Sequence, residues 1–371
     1  MSRVIPVSCA QLVPDRYGRG GHFFFPFRAF SCIACVAKPR YGKGGVAKPL
    51  VVKISKTKRV LVFDFKGEWS THITQPNYES DDPDYLDEYK VYGGRRGEFT
   101  FKLEDFTLTQ DWVSLGFEGY KARQLRDLFV QSMPFHRGIP NGFLRVINDL
   151  PTKEDHISEF NRKYGTSIYG AFNWSIVTQE FRLNLPGRLK WFWQGPSDVR
   201  PIYNFGEEWL QHRNIFIDFN TGDWDAENVY RNQTFAGKIL HQLRKYHVRL
   251  KGFIVMEECD YLLPKTKGGV RASTVVEVEY LAAKAPKEGV GLLLLMQTTS
   301  QVSPTIFRVG AWQKLFGQFD EYPPGYPYLQ YDPDGNYREF LFVDVNGRWK
   351  KIVPVVPCCQ FESNIGGATE L

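Results

Sequence analysis

Between residues 30 and 68 two apolar runs of strand length flank a glycine- and lysine-bearing turn and a helical stretch, FSCIACVAKPRYGKGG followed by VAKPLVVKISKTKRVLVFDFKGE. The pattern predicts a buried strand over 30–36, a loop over 37–45, a helix over 46–57 and a second buried strand over 59–63 that ends on Asp64. That order is a βαβ unit, and it commits this part of the chain to parallel pairing, because two parallel strands need a crossover between them. At the first turn of such a unit, N–H groups at the helix N-terminus cradle anionic oxygens and a lysine reaches the terminal phosphates, in the pattern G-x-x-x-x-G-K-[ST]. Here the positions read Ala37, Lys38, Pro39, Arg40, Tyr41, Gly42, Lys43 and Gly44. Gly42 and Lys43 keep the tight turn and the charge. Ala37 stands for the first glycine, and Gly44 for the hydroxyl that holds Mg²⁺ in the full pattern. Taken alone, the segment reads equally as a basic turn between two core elements.

Later strand ends add to it. Residues 64–69 read DFKGEW, at the close of the second strand. Residues 252–260 read GFIVMEECD, an apolar strand running straight into Glu257 and Glu258. In such an acidic pair one group helps to hold Mg²⁺ and the next polarises the attacking water. Residues 289–296, GVGLLLLM, form another apolar strand that ends on Gln297, followed by Thr298 and Thr299. The series, in this order, resembles the HerA/FtsK family of DNA-pumping ATPases over about residues 28–70 and 213–355.

The resemblance implies an α/β fold: a RecA-like P-loop NTPase core with a mostly parallel central sheet, a largely helical insertion and a C-terminal β-hairpin. It implies ATP and Mg²⁺ as cofactors. Lys43 would bind the β- and γ-phosphates, with Gly42, Gly44 and Gly45 offering backbone N–H groups. Glu258 would orient or deprotonate the water. Glu257, where the family usually has Asp, would hold Mg²⁺ together with Glu258, and Gln297 would sense the γ-phosphate. Asp64, with Lys66 and Glu68, would stand at the neighbouring strand end and bridge to the next subunit of a hexameric ring. Arg308 is the candidate for the arginine that a neighbour donates. Some departures count against hydrolysis: Gly44 has no metal-binding hydroxyl, and Gly45 and Pro49 weaken the first turns of the helix.

The implied function is ATP-driven translocation or genome packaging of double-stranded DNA by a homo-hexamer, with a virion or nuclease partner. Two alternatives stay open. One is a structural or nucleotide-binding subunit of the same fold that has lost hydrolysis; the other is an assembly or secretion ATPase whose cargo is protein. A compact chain suits a viral or plasmid-type motor, in the cytoplasm of a prokaryotic or virus-infected cell or in the virion.

With 371 residues, 43% of them apolar, the chain can bury a sizeable core. A net charge of +6 on 24% charged residues permits a polyanionic partner without requiring one. No apolar run reaches the roughly 18 residues of a membrane span. Of the six cysteines, Cys32 and Cys35 form a C-x-x-C inside an apolar strand, with no second pair at ligand spacing, which reads as buried thiols of an intracellular protein.

The chain divides into residues 1–72 and 201–356 as two parts of one core, 73–200 as the mostly helical insertion, and 357–371 as a tail. Residues 16–27 read as a segment covering the sheet edge, and 72–90 as a polar, acidic loop. In the insertion, 99–106 alternates like a strand, while 122–131 and 157–164 carry apolar residues at helical spacing. The WFW triplet at 191–193 could stack bases or form one face of a strand. Lys265, Lys267 and Arg271 lie in a glycine-containing loop after the acidic pair, which could touch a phosphate backbone or simply be solvated. Asn346-Gly347, between apolar runs, predicts a hairpin turn.

Overall fold

The computed structural model describes residues 5–12, 21–27, 32–39, 41–69, 88–93, 101–168, 174–190, 192, 205–219, 226–245, 251–265, 271–318, 325–330 and 339–354. The chain opens with two strands, β1 (Ile5–Leu12) and β2 (Gly21–Phe27), then β3 (Cys32–Val36), α1 (Lys43–Ser55) and β4 (Arg59–Asp64). A short strand β5 (Lys90–Gly93) precedes a run of helices: α2 (Thr109–Ser114), α3 (Gly119–Gln131), α4 (Met133–His136), α5 (Pro140–Asn148), α6 (Ile157–Tyr164), α7 (Trp174–Leu189) and α8 (Phe205–Gln211). The sheet resumes with β6 (Asn214–Asp218), α9 (Ala226–Lys245), β7 (Gly252–Met256), α10 (Cys259–Leu262), α11 (Ser273–Glu288) and β8 (Gly291–Met296). Last come α12 (Pro304–Arg308), β9 (Trp312–Phe316), β10 (Phe340–Val343) and β11 (Trp349–Pro354).

Among the described residues these strands form one sheet in the order β2-β1-β11-β10-β9-β3-β8-β7-β4-β6-β5. From β9 to β5 every pairing is parallel. The hairpin β10–β11 and the strands β1 and β2 extend it antiparallel. The central strands are buried on both faces, as parallel strands between helical layers must be. Their period of two sorts the side chains. Ile33, Val60, Val62, Phe253, Val255 and Leu293 pack with Val46, Leu50 and Val51 of α1. Ala34, Leu61, Ile254, Leu292 and Leu294 face the other way, into a core shared with Ile239 and Leu243 of α9, Val278 of α11, and Trp112 and Phe129 of the helical run. Each of the valine, leucine, isoleucine and phenylalanine side chains among them contributes on the order of 1.5–3 kcal/mol by leaving water.

The helical run is fastened to α9 and α11 by buried polar groups as well. Lys238 pairs with Asp111 at 2.9 Å, both nearly fully buried, and its Nζ also donates to Asp105 O at 2.6 Å. The Ser114 and Ser273 hydroxyls lie 2.8 Å apart.

Several expectations change. The P-loop helix begins at Lys43 rather than at 46, because the left-handed turn at Gly42 already ends the loop, and it runs through Pro49 without stopping. Residues 101–106 are not a strand. Phe101, Leu103 and Phe106 are buried, but around a 3₁₀ turn at Leu103–Asp105, so the alternation reported burial and not pairing. Residues 88–93, taken in part as loop, add β5 to the sheet beside β6. Residues 21–27 do not cover the edge; they are the edge, paired to β1. Phe192 of the WFW triplet is core, packed edge-on against Phe106 at 4.6 Å. Trp191, Trp193, Lys267 and the tail from 357 lie outside the described residues. Cys32 and Cys35 are buried free thiols, and burial pushes both up to about 12, which makes them inert at neutral pH. No helix among the described residues is long and apolar enough to cross a membrane.

Candidate functional site

The C-terminal ends of β3, β8, β7 and β4 lie side by side, the edge at which open α/β sheets bind ligands. After β3, Gly42 sits at φ 87°, a left-handed turn that glycine takes without strain, and serves as the cap of α1. It brings no side chain to the free N–H groups of the first turn, which keeps them for an anion. Lys43 folds against the loop itself, its Nζ donating to Ala37 O at 2.8 Å and Lys38 O at 3.4 Å. Burial draws its ammonium below the ordinary value, with Cys35 and Glu258 opposing.

Neighbouring elements hold the loop in shape. Ala37 N–H donates to Met296 O at 3.2 Å and Lys38 N–H to Gln318 O at 2.8 Å. Tyr41 is buried; its hydroxyl donates to Glu339 O at 2.7 Å and its ring meets Phe340 edge-on at 5.2 Å. A Cβ at Gly317 would run into that ring, so only glycine fits there.

Beyond β7 the two glutamates diverge. Glu257 Oε2 accepts the Phe65 N–H at 3.2 Å, and burial together with the Asp64 carboxylate pushes Glu257 up to about 8. Glu258 takes a left-handed backbone at φ 49°, ψ 50°, a strained conformation for a side-chain-bearing residue, and is only 4% exposed. Its Oε1 pairs with Lys66 at 2.9 Å and its Oε2 accepts from Gln297 Nε2 at 3.1 Å. The structure therefore brings Glu258, Gln297 and Lys66 into direct contact, with Lys43 close enough to feel the Glu258 charge. Asp64 is fully buried and accepts the N–H groups of Glu68 at 3.2 Å and Trp69 at 2.9 Å, so it shapes the turn that carries Lys66.

Sequence reasoning passed over Asp260. Its carboxylate accepts the backbone N–H of Gln297 at 2.7 Å and of Thr298 at 3.0 Å, locking the end of β8 to the turn after β7. Burial raises it, while those two donors pull it down. The signal that could have found it is a third acid directly behind the pair, in the first turn of a short helix.

The residues here that would hold a divalent cation are Glu257 and Glu258, without help from the loop. Gly44 has no oxygen to offer from its side chain, and a Cβ built on it would lie 3.8 Å from the Lys48 ammonium nitrogen. Glu257 is held toward its neutral form. Among the described residues no cluster of three or more His, Cys, Asp or Glu has metal-binding spacing.

Of the basic groups, Lys265 is exposed and lines a pocket of about 230 Å³ that it shares with Glu118 and Asp260. Arg271 is ion-paired with Glu279. Arg308 is exposed at the end of α12.

No family model matches the sequence, and no curated protein matches it. Solved structures do. VirB4 of Thermoanaerobacter pseudethanolicus aligns over 96% of this chain and 99% of its own, at 15% identity and a TM-score of 0.59. The bacterial conjugative coupling protein TrwB, in an unbound form, aligns over 89% of this chain and 79% of its own, at 12% identity and a TM-score of 0.51. TrwB in complex with ADP and Mg²⁺ gives 13% identity and a TM-score of 0.52 over the same shares. At such identities the likeness speaks for the fold. VirB4 and TrwB are P-loop ATPases of the HerA/FtsK type, and this chain has their RecA-like α/β fold.

Proposed function

We propose that the chain is an ATP-hydrolysing motor subunit that moves double-stranded DNA, by translocation or packaging, within a homo-hexameric ring. One observation carries the reading: Glu258 and Gln297 are in hydrogen-bond contact at adjoining strand ends, beside the loop that holds Lys43. In this reading the triphosphate lies over loop 37–45, on the N–H groups at the start of α1, with Lys43 turned from the loop carbonyls onto the terminal phosphates. Glu258 directs the water, and Gln297 fixes the carboxylate's orientation while sensing the γ-phosphate. Such a site works by position and charge, which is what phosphoryl transfer asks of a protein. The solved complex of TrwB with ADP supports a nucleotide as ligand. Lys265 and Arg271 would meet the phosphate backbone as charges, without reading bases. Arg308 would complete the site of the adjacent subunit.

A second reading has its own support. Gly44, with Lys48 beside it, alters the side of the loop that serves metal-dependent hydrolysis, and favours a nucleotide-binding subunit that does not turn over. A steady-state ATPase assay with and without long duplex DNA, alongside equilibrium nucleotide binding, separates the two. The motor reading expects DNA-stimulated turnover. It also expects Glu258→Gln to lose turnover by roughly 10²–10⁴-fold while still binding nucleotide, and Lys43→Ala to lose both. Binding without turnover in the wild type would favour the second reading, and turnover indifferent to DNA would point to a protein cargo.

A further inference from the structure

The pairing of β7 with β8 ends at Met256 and Leu294, and the chain then turns away at Glu258, whose left-handed backbone opens the short helix α10. Past that point the backbone N–H groups of Gln297 and Thr298 need acceptors of their own. One side chain supplies both. Asp260 Oδ2 accepts from Gln297 N–H at 2.7 Å and Oδ1 from Thr298 N–H at 3.0 Å, so each carboxylate oxygen holds one of two consecutive amides. The turn that carries Asp260 is itself tied down. Tyr261 and Leu262 N–H donate to Glu258 O at 2.9 and 3.3 Å, and Cys259 Sγ donates to Met256 O at 3.1 Å. On the opposite side Thr298 Oγ1 accepts Ser300 N–H at 3.1 Å, which braces the turn after β8.

Gln297 is therefore attached to one turn twice, by its backbone to Asp260 and by its side chain to Glu258. These contacts close a circuit that starts and ends on Glu258. A glutamine side chain has many rotamers to lose, and anchoring the backbone from which it springs limits where its amide can go. We propose that Asp260 is a positioning residue for hydrolysis: by clamping the backbone of residues 297 and 298 it sets the reach from Gln297 Nε2 to the Glu258 carboxylate. The inference rests on the hydrolysis reading above. Asp260 acts only through Gln297, and a displacement of about 1 Å in such a site is enough to cost up to about a hundredfold in rate.

The test is a double-mutant cycle read by steady-state ATP turnover and equilibrium ATP binding. Asp260→Ala should lower kcat by about 10–100-fold while KM and nucleotide affinity stay within about twofold. Asp260→Asn keeps one acceptor oxygen but turns an amide NH₂ toward the other N–H, and should lose less, about three- to tenfold. In a Gln297→Ala background either substitution should cost less than about twofold in turnover, because the side chain being placed is gone. A clamp that merely stabilises the fold would instead multiply with the Gln297 loss. A further loss above about twofold in that background, an unchanged kcat in both Asp260 variants, or an equal loss in affinity overturns the proposal and leaves the hydrolysis reading standing. If Asp260→Ala fails to fold, the asparagine variant decides by the same criteria. A wild type without ATP turnover overturns the hydrolysis reading and this proposal together.

Discussion

Gln297 Nε2 donates to Glu258 Oε2 at 3.1 Å, joining the end of β8 to the carboxylate that follows β7. Lys66 grips the other oxygen from the turn after β4, so the carboxylate is fixed from both sides by different strand ends. Gln297→Ala removes one grip without changing charge. Turnover should fall by about a hundredfold, with nucleotide affinity little altered, as expected for a group that acts by preorganisation. Single-turnover and binding measurements on the same variant check this; an equal loss in both would assign Gln297 to ground-state binding.

Glu257 gives a pH dependence whose sign follows from its environment. Its carboxyl is held up to about 8 against an ordinary 4.5, so the folded chain binds this proton more firmly than the unfolded chain. The stability it contributes is complete below about 4.5 and is lost as pH rises through about 8. Urea unfolding across that window should show the wild type losing stability relative to Glu257→Gln. A constant difference between the two would contradict the assignment.

The Lys238–Asp111 pair should be costly to break from one side only. Burial already pushes the Asp111 carboxyl up, and Lys238 is the charge that opposes it. Lys238→Met should destabilise by about 3–5 kcal/mol, since it strands a buried carboxylate, whereas adding Asp111→Leu should recover much of the loss. A double-mutant cycle from chemical denaturation measures the coupling.

Lys265 and Arg271 should not weigh equally on DNA. Both are exposed, but Arg271 is ion-paired with Glu279. Lys265→Ala should lower the salt slope of duplex binding by about one, and Arg271→Ala by less. Fluorescence anisotropy over a salt titration reads both slopes, and no change in either would remove this loop from the DNA interface.

The parallel core was legible in the sequence because β3, β4, β7 and β8 are buried on both faces and so appear as unbroken apolar runs. Glu258 and Gln297 became candidates because they stand just past the ends of such runs, and Lys43 because it closes the glycine-bearing loop that follows one. What escaped were groups whose work depends on partners far along the chain. Asp260 serves backbone donors 37 and 38 residues away, and Lys238 reads as one more surface cation until Asp111 and Asp105 are brought beneath it. Lys48 has the helical setting of a solvated lysine, yet it is buried against Trp69. The start of α1 was hidden because Gly44 and Gly45 look like helix breakers, although the helix accommodates both.

The bond from the Tyr41 hydroxyl to the Glu339 carbonyl spans 298 residues. Its consequence concerns the order in which the molecule acquires its properties. Contacts between positions so distant in sequence close late, after the local helices and adjacent strands have formed. A nascent chain that has already displayed β3 and α1 would hold the phosphate-binding sequence without its final geometry until the residues leading into β10 arrive. On the nucleotide-binding reading proposed above, ligand affinity is then expected among the last attributes to mature.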